Sequence, residues 1–325
     1  MSARYRLRPP VPDREAEEGR KLRTRFVRVV GLVALAIALL FLSLRISDNW
    51  HAISSKSISA GVWFSVVVCS LTYGLASVLL STAWYRLLSF LSKGRMRSLE
   101  VQVVYARTQI AKYIPGNVFH LVGRHTVLRK LGATHGSLVG AALFEAAGVI
   151  AAAACIAFLG LLANSEIMEG ESRAIYVLLF LAALVFPVAL NLVTVKFGIV
   201  KRTGIAHIPT GTLLIRLLPV LALYVSFFLV VGLLLGILSW MVSGGQDVTM
   251  VFSLLGVFSI SWIAGYITPG ASAGIGVREA VIVLWLGAAI GEADGVIIAF
   301  LFRIVTIVGD LVFFVGGMFL NRFFR

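Results

Sequence analysis

Charge is scarce in this chain. Asp, Glu, Lys and Arg make up 14% of its 325 residues, against about 25% in an ordinary soluble domain. That shortage excludes the charged, water-facing surface on which a soluble fold of this size depends. Cysteine is rarer still. Cys69 and Cys155 both fall in apolar runs, which argues against a disulfide framework and for two small buried hydrophobes. Long polar stretches are also missing. The longest runs from Met1 to about Arg25, whereas an independent domain needs at least about 50 residues, so no soluble catalytic domain fits between the apolar runs. Familiar motifs of soluble chemistry are absent too. Gly270, Gly274 and Gly276 are clustered, but no strand precedes them and no P-loop lysine follows, and there is no nucleophile elbow or kinase signature. His120 and His125 have no third ligand beside them, so neither a metal nor a cofactor is expected.

Apolar side chains are abundant instead. They form 59% of the chain before its 31 glycines are counted, and the mean hydropathy is +0.96. The reading is an all-α integral membrane protein. Its first apolar run, Phe26–Leu44, follows a basic region too long for a signal peptide and exits without a small-residue cleavage site, so a retained anchor is expected. Runs at 61–91, 137–163, 174–195, 213–240 and 295–320 are each long enough to cross, which takes about 20 residues. Two more apolar stretches, about 99–128 and 250–290, are interrupted by Pro115-Gly116 and Pro269-Gly270.

The net charge of +14 would point to nucleic acid in a soluble protein. Its distribution points to orientation instead. Connections assigned to the cytoplasm carry Lys93, Arg95, Arg97, Arg129, Lys130, Lys196, Lys201, Arg202, Arg322 and Arg325 against Glu100 alone. Those assigned outside carry Asp48, Glu166, Glu169, Glu171, Asp247, Glu292 and Asp294 against Arg45, Lys56 and Arg173. The positive-inside rule gives this pattern only if each broken segment leaves the membrane on the side it entered. The expected architecture is therefore six full transmembrane helices and two re-entrant Pro-Gly hairpins, behind a basic cytoplasmic tail at 1–28 and with both termini in the cytoplasm.

The broken segments resemble each other. Ile110-Ala111-Lys112-Tyr113-Ile114-Pro115-Gly116 parallels Ile263-Ala264-Gly265-Tyr266-Ile267-Thr268-Pro269-Gly270, and an arginine follows each Gly by eight residues, Arg124 and Arg278. Laid out in order, about 29–163 and about 174–320 read as the same span–span–hairpin–span series running in opposite directions. Inverted repeats with matched Gly/Pro breaks are a plan of secondary transporters, with the site at the breaks. A helix restarting inside the membrane also aims a partly positive N-terminus at mid-depth, which suits an anion such as phosphate.

Charges at hydrophobic depth are Arg107, Lys112, Arg124, Glu145, Arg278, Glu279, Arg303 and Asp310. Each costs at least about 2.5–3.5 kcal/mol at the centre of a membrane helix, so most should face one another or water. Arg303, Thr306 and Asp310 share one helical stripe. Arg303 and Asp310 lie about 10 Å apart along it, so each is expected to meet a partner elsewhere. Glu145 could serve as partner to a nearby arginine, and Glu279 could support the start of a helix. Substrate-binding candidates are Arg124, Arg278, Glu279, Glu145, Arg303, Asp310 and Lys112, with Pro115, Gly116, Pro269, Gly270 and Gly276 as the hairpin breaks.

Together, Arg107-Thr108-Gln109, Lys112 to Gly116, Gly123-Arg124, Thr268-Pro269-Gly270 and Gly274-Ile275-Gly276-Val277-Arg278-Glu279 resemble the lysylphosphatidylglycerol synthase transmembrane (flippase-like) family over about 29–320. The resemblance implies a lipid-translocating fold of the bacterial inner membrane, with Pro269, Gly270, Gly276, Arg278 and Glu279 as its signature. It implies a stand-alone membrane domain without the family's soluble aminoacyltransferase. Ala271-Ser272-Ala273-Gly274 departs from the more glycine-rich family pattern, so a lysyl lipid does not follow. The expected function is lipid transport between leaflets, not an enzyme activity. The expected partner is a membrane lipid with an anionic or zwitterionic phosphate head group, aminoacylated or not, with no nucleic acid. A homo-oligomer or a separate lipid-modifying enzyme is left open. The alternatives are a membrane-embedded transferase on a polyprenyl-linked or phospholipid substrate, using Glu145 or Glu279, and a non-transporting envelope-assembly subunit. In the transport reading, removing either Arg124 or Arg278 abolishes translocation and leaves insertion intact.

Overall fold

The computed structural model describes residues 36, 40–56, 58–92, 96–114, 118–162, 181, 210–245, 247–268 and 271–323. Every regular element among them is helical. The order is α1 (Trp50–Ser55), α2 (Ala60–Leu91), α3 (Ser98–Gln109), a first 3-10 turn (Ile110–Tyr113), α4 (Phe119–Lys130), α5 (His135–Leu162), α6 (Thr210–Ser243), α7 (Val248–Ile267), a second 3-10 turn (Ser272–Gly274), α8 (Val277–Ile290) and α9 (Glu292–Phe323).

Six stretches are long and apolar enough to cross a membrane: Ala60–Leu91, His135–Gly160, Ile215–Ser243, Thr249–Ile267, Ser272–Ile290 and Glu292–Leu320. This is a multi-pass membrane protein. Four of the six are the expected spans at 61–91, 137–163, 213–240 and 295–320. The other two are the arms of the second broken segment, read from the sequence as one re-entrant hairpin, and each is long enough to cross. At 1.5 Å per residue, α7 with its 20 residues reaches about 30 Å, the depth of the hydrocarbon core. The arms of the first broken segment have 12 residues each and reach about 18 Å. The runs expected at 26–44 and 174–195 lie outside the described residues, apart from helical positions 36, 40–44 and 181. Pro115, Gly116, Pro269 and Gly270 also lie outside them.

Burial is inverted relative to a soluble fold. Phe64, Leu75 and Ile215 are 70% or more exposed, while Arg124 and Asp310 are at most 3% exposed. Apolar side chains face outwards and charge is held inside. Serine hydroxyls within the long helices bond their own backbone, as with Ser70 to the Val66 carbonyl and Ser77 to that of Tyr73, which satisfies them away from water; the buried Tyr224 hydroxyl of α6 has no such partner. α2 packs on α6 and α9, and α5 packs on α6 and α7. Small residues permit the closest approach: a Cβ on Gly74 of α2 would lie 3.0 Å from the Gly309 carbonyl of α9, the close contact that glycine allows between membrane helices.

Both broken segments turn back on themselves. In the first, Gly123 lies against Thr108, and Arg124 bonds Gln109 on the incoming arm. In the second, Gly265 and Trp262 of α7 lie against Arg278 of α8. The hairpins also extend along opposite halves of α9. From the first, Val103 and Ala106 lie beside Gly317, and Tyr105 beside Phe313. From the second, Leu286 and Gly287 lie beside Gly295, and the Ala273 carbonyl meets Arg303. Their 3-10 turns touch one another near the middle of this 32-residue helix.

Charge separates with the ends. Arg97, Arg129, Lys130 and Arg322 flank the end where the first hairpin begins and finishes. At the other end Glu292 pairs with Arg45 and Asn49, and Lys56 with Asp294, tying the segment around α1 to the start of α9.

Candidate functional site

The turns enclose a cavity of about 280 Å³. Its wall draws on the middle of each long helix, namely Tyr73 and Ser77 of α2, Glu145 and Ala146 of α5, Phe227 of α6 and Asp310 of α9. It also draws on the inner end of every hairpin arm, with Tyr105 and Gln109 of α3, His120 and Arg124 of α4, Trp262 and Tyr266 of α7, and Arg278 of α8. Helices of membrane-crossing length thus place the cavity near half their height. Five of the seven binding candidates line it: Lys112, Arg124, Glu145, Arg278 and Asp310.

Three ion pairs organise the charge. Arg124, on the second turn of α4, gives Nη1 to both Glu145 oxygens at 2.8 and 3.1 Å and Nη2 to Gln109 Oε1 at 3.2 Å. Its guanidinium carbon lies 3.7 Å from the centre of the Tyr105 ring and 4.4 Å from that of Trp84. Tyr105 adds its hydroxyl to Glu145 at 3.0 Å. Lys112, in the first 3-10 turn, pairs with Asp310 at 2.7 Å, and the neighbouring Tyr113 hydroxyl donates to the same carboxylate. Arg303 pairs with Glu279 at 3.2 Å and gives a long bond, 3.4 Å, to the Ala273 carbonyl. Arg303 and Asp310 therefore meet separate partners, as their spacing on α9 requires, and Glu145 has the arginine partner that one reading of it anticipated.

Arg278 differs from the other three cations. No carboxylate among the described residues pairs with it; its buried Nε, like that of Arg124, has no hydrogen-bond partner. Its guanidinium lies 5.6 Å from the Trp262 ring centre, and Trp262 in turn stacks on Tyr266 at 4.8 Å. Two glycines make the slot for its stem. A Cβ on Gly265 would lie 2.8 Å from Arg278 Cγ, and one on Gly274 would lie 2.5 Å from Nε. Gly276, with φ +83, precedes α8, and its N–H donates to Glu279 Oε2 at 2.6 Å. Glu279 thereby caps the helix and holds Arg303 together, leaving its neighbour Arg278 pointed into the cavity.

Arg124 and Arg278 were expected to be successive phosphate sites, each indispensable to translocation. The geometry separates them: Arg124 is 1% exposed and paired with Glu145, with only its Nε lacking a partner, so its loss would strand Glu145 inside. For the expectation that Arg124→Ala leaves insertion largely intact, the consequence is that such a variant would carry an unpaired buried carboxylate. Arg107 is exposed and lies outside the cavity wall. His125 meets His135, with Nε2 and Nδ1 3.1 Å apart, and not His120. Sequence reasoning passed over Tyr105, Gln109 and Trp262 as partners of charge. Tyr105, Gln109 and Lys112 stand at i, i+4 and i+7, and that polar stripe was the available signal.

No family model matches the chain, and no curated protein matches it.

Proposed function

We propose that this protein moves a phosphate-bearing lipid head group between the leaflets of a membrane, through the cavity at the hairpin tips. The observation that carries this reading is the unpaired Arg278 at mid-height, in a cavity otherwise built of neutralised pairs. An uncompensated charge away from water costs several kcal/mol, so the arrangement is stabilised when an anion enters. A guanidinium suits phosphate because its planar fork bonds two oxygens and stays charged. A head group faces the same barrier in reverse, since its charge loses hydration in hydrocarbon, and a polar station halfway lowers it.

Two further features support transport. The hairpins lie along opposite halves of α9, which fits re-entrant segments entering from opposite faces and an inverted repeat. The shorter first hairpin reaches mid-depth only; the second, with longer arms, returns to its own face whether it crosses fully or not. The resemblance to the lysylphosphatidylglycerol synthase transmembrane family, a bacterial inner-membrane location and cytoplasmic termini belong to the same proposal. The transferase alternative is weaker because Glu145 and Glu279, its candidate bases, are both engaged by arginines.

The test is a leaflet assay in liposomes with labelled phospholipids. The parent protein should accelerate exchange over protein-free vesicles, and Arg278→Ala should lose that acceleration while its thermal unfolding stays unchanged. Parent vesicles that move no lipid, or an Arg278→Ala protein that moves it at the parent rate, would sink the reading. Orientation is checked with single cysteines replacing Lys130 and Gly244 in a background without Cys69 and Cys155, which should label from opposite faces of sealed cells.

A further inference from the structure

The geometry points to a charge filter: the cavity selects lipids whose head group is net anionic over zwitterionic and cationic ones. This rests on the lipid-transport reading and adds the substrate class to it. Four cations, Lys112, Arg124, Arg278 and Arg303, gather around three carboxylates, Glu145, Glu279 and Asp310, and three pairs form. The one charge left over is positive.

Every carboxylate there is doubly engaged. Glu145 accepts from Arg124 and Tyr105, Asp310 from Lys112 and Tyr113, and Glu279 from Arg303 and the Gly276 N–H. By contrast, donors remain open: Arg124 Nε, Arg278 Nε and Arg303 Nη2 are all buried without a partner. The unfilled capacity of the cluster is for an acceptor of hydrogen bonds carrying negative charge. A phosphodiester supplies that and brings the local count to zero. An ammonium group needs an acceptor, and each carboxylate it could approach is already neutralised by a cation, so it would gain charge pairing there only by competing with one of the three pairs. A zwitterionic head group gains at its phosphate and loses at its ammonium, and a lysyl head group loses twice. Like charge near Arg278 and Lys112 disfavours both.

The chemistry recognised is a phosphate monoanion, whether it arrives on a lipid or free in solution, so the experiment separates the sources. Purified full-length protein in uncharged detergent is loaded with a fluorescent phosphatidylglycerol. Displacement is then measured with unlabelled phosphatidylglycerol, phosphatidylcholine, lysyl-phosphatidylglycerol and inorganic phosphate. The filter predicts displacement by phosphatidylglycerol at concentrations at least tenfold lower than by phosphatidylcholine, with the lysyl lipid weakest. In Arg278→Gln, which strands no carboxylate and should keep the parent's thermal unfolding, the first two should become equal.

Equal displacement by all three lipids in the parent protein overturns the filter, and so does a preference that survives in Arg278→Gln. Inorganic phosphate displacing as well as phosphatidylglycerol would keep anion selection and remove the lipid as its object. The leaflet assay stands apart from these results. Vesicles that bind with this order but move no lipid would retain the filter and discard transport; vesicles that move all head groups equally would do the opposite.

Discussion

Arg124 and Arg278 occupy matching places on the returning arms of two similar hairpins, yet one is enclosed by partners and the other is left open. The cause lies in the helices packed beside them. α5 presents Glu145 to Arg124, whereas α9 presents Arg303 on the side of the second hairpin. The carboxylate that α9 does carry at this depth, Asp310, is taken by Lys112 from the first hairpin. The position matching Lys112 in the second motif is Gly265, whose missing side chain leaves room for the Arg278 stem. The arginine beside the first break is thus held in an ion pair, and the arginine beside the second is not paired with any carboxylate among the described residues.

The sharpest way to break this comparison is to strand a charge in the first half. Glu145→Ala leaves Arg124 buried with only Gln109 and two rings around it. Breaking a buried pair from one side costs about 3–5 kcal/mol, so a large fall in the thermal unfolding temperature is expected in detergent. Arg124→Ala should do the same from the other side. The double variant Arg124→Met with Glu145→Leu should recover most of the loss, because apolar packing replaces a buried pair at little cost. Arg278→Ala, by contrast, should unfold like the parent. If Arg124→Ala and Arg278→Ala proved equally stable, the distinction between the two halves would be void.

Much of the fold was legible because hydrocarbon imposes a length and a composition on whatever crosses it. Runs such as 61–91 and 295–320 mark α2 and α9 to within a few residues. Charge bias gave the expectation that each broken segment returns to the face it entered; what the structure adds is that its two arms pack on each other. The reach of the second segment was not legible: 250–290 reads as one re-entrant hairpin broken at Pro269-Gly270, whereas the stretch on each side of the break is long enough to cross. The charged residues of the site were legible individually, since a charge at that depth demands an explanation. Their pairing was not, because Lys112 and Asp310 lie 198 positions apart, and spacing carries no information across such a gap. Only pairing distinguishes Arg278 from Arg124.

A smaller effect sharpens the comparison at the glycines. Gly265→Ala puts a methyl 2.8 Å from Arg278 Cγ, a clash that displaces the stem or shifts the arms. Overpacking of this kind costs about 1–3 kcal/mol, and it should also reduce lipid exchange by turning Arg278 out of line. Gly123, beside Arg124 on the first hairpin, is different: its Cβ would meet Thr108 Cγ2 at 3.4 Å, an ordinary contact. Gly123→Ala should therefore change stability by no more than about 0.5 kcal/mol, the range of an unstrained substitution, and leave exchange unchanged. Equal losses in the two variants would mean that the slot around Arg278 is not special.

The smallest expected effect lies in the turns themselves. Every residue of the second 3-10 turn is buried, and Ala273 sits there at φ 50, ψ 23, in the left-handed region. It is the one non-glycine residue with positive φ among those described. A side chain in that conformation costs about 1–2 kcal/mol, and strain held at a binding cavity is worth its cost only if the geometry matters there. Here it aims the Ala273 carbonyl at Arg303, which in turn holds Glu279 and the start of α8. Ala273→Gly relieves the strain without moving the carbonyl, so a stability gain of up to about 1 kcal/mol is expected, offset in part by the lost burial of one methyl. The first turn has no such residue, and Ala111→Gly in that turn should lose stability, because glycine only adds freedom to the unfolded chain. Opposite signs for the two substitutions, read from thermal unfolding, would tie the strain to the half that carries the free arginine; a loss in both would remove strain from the account of that half.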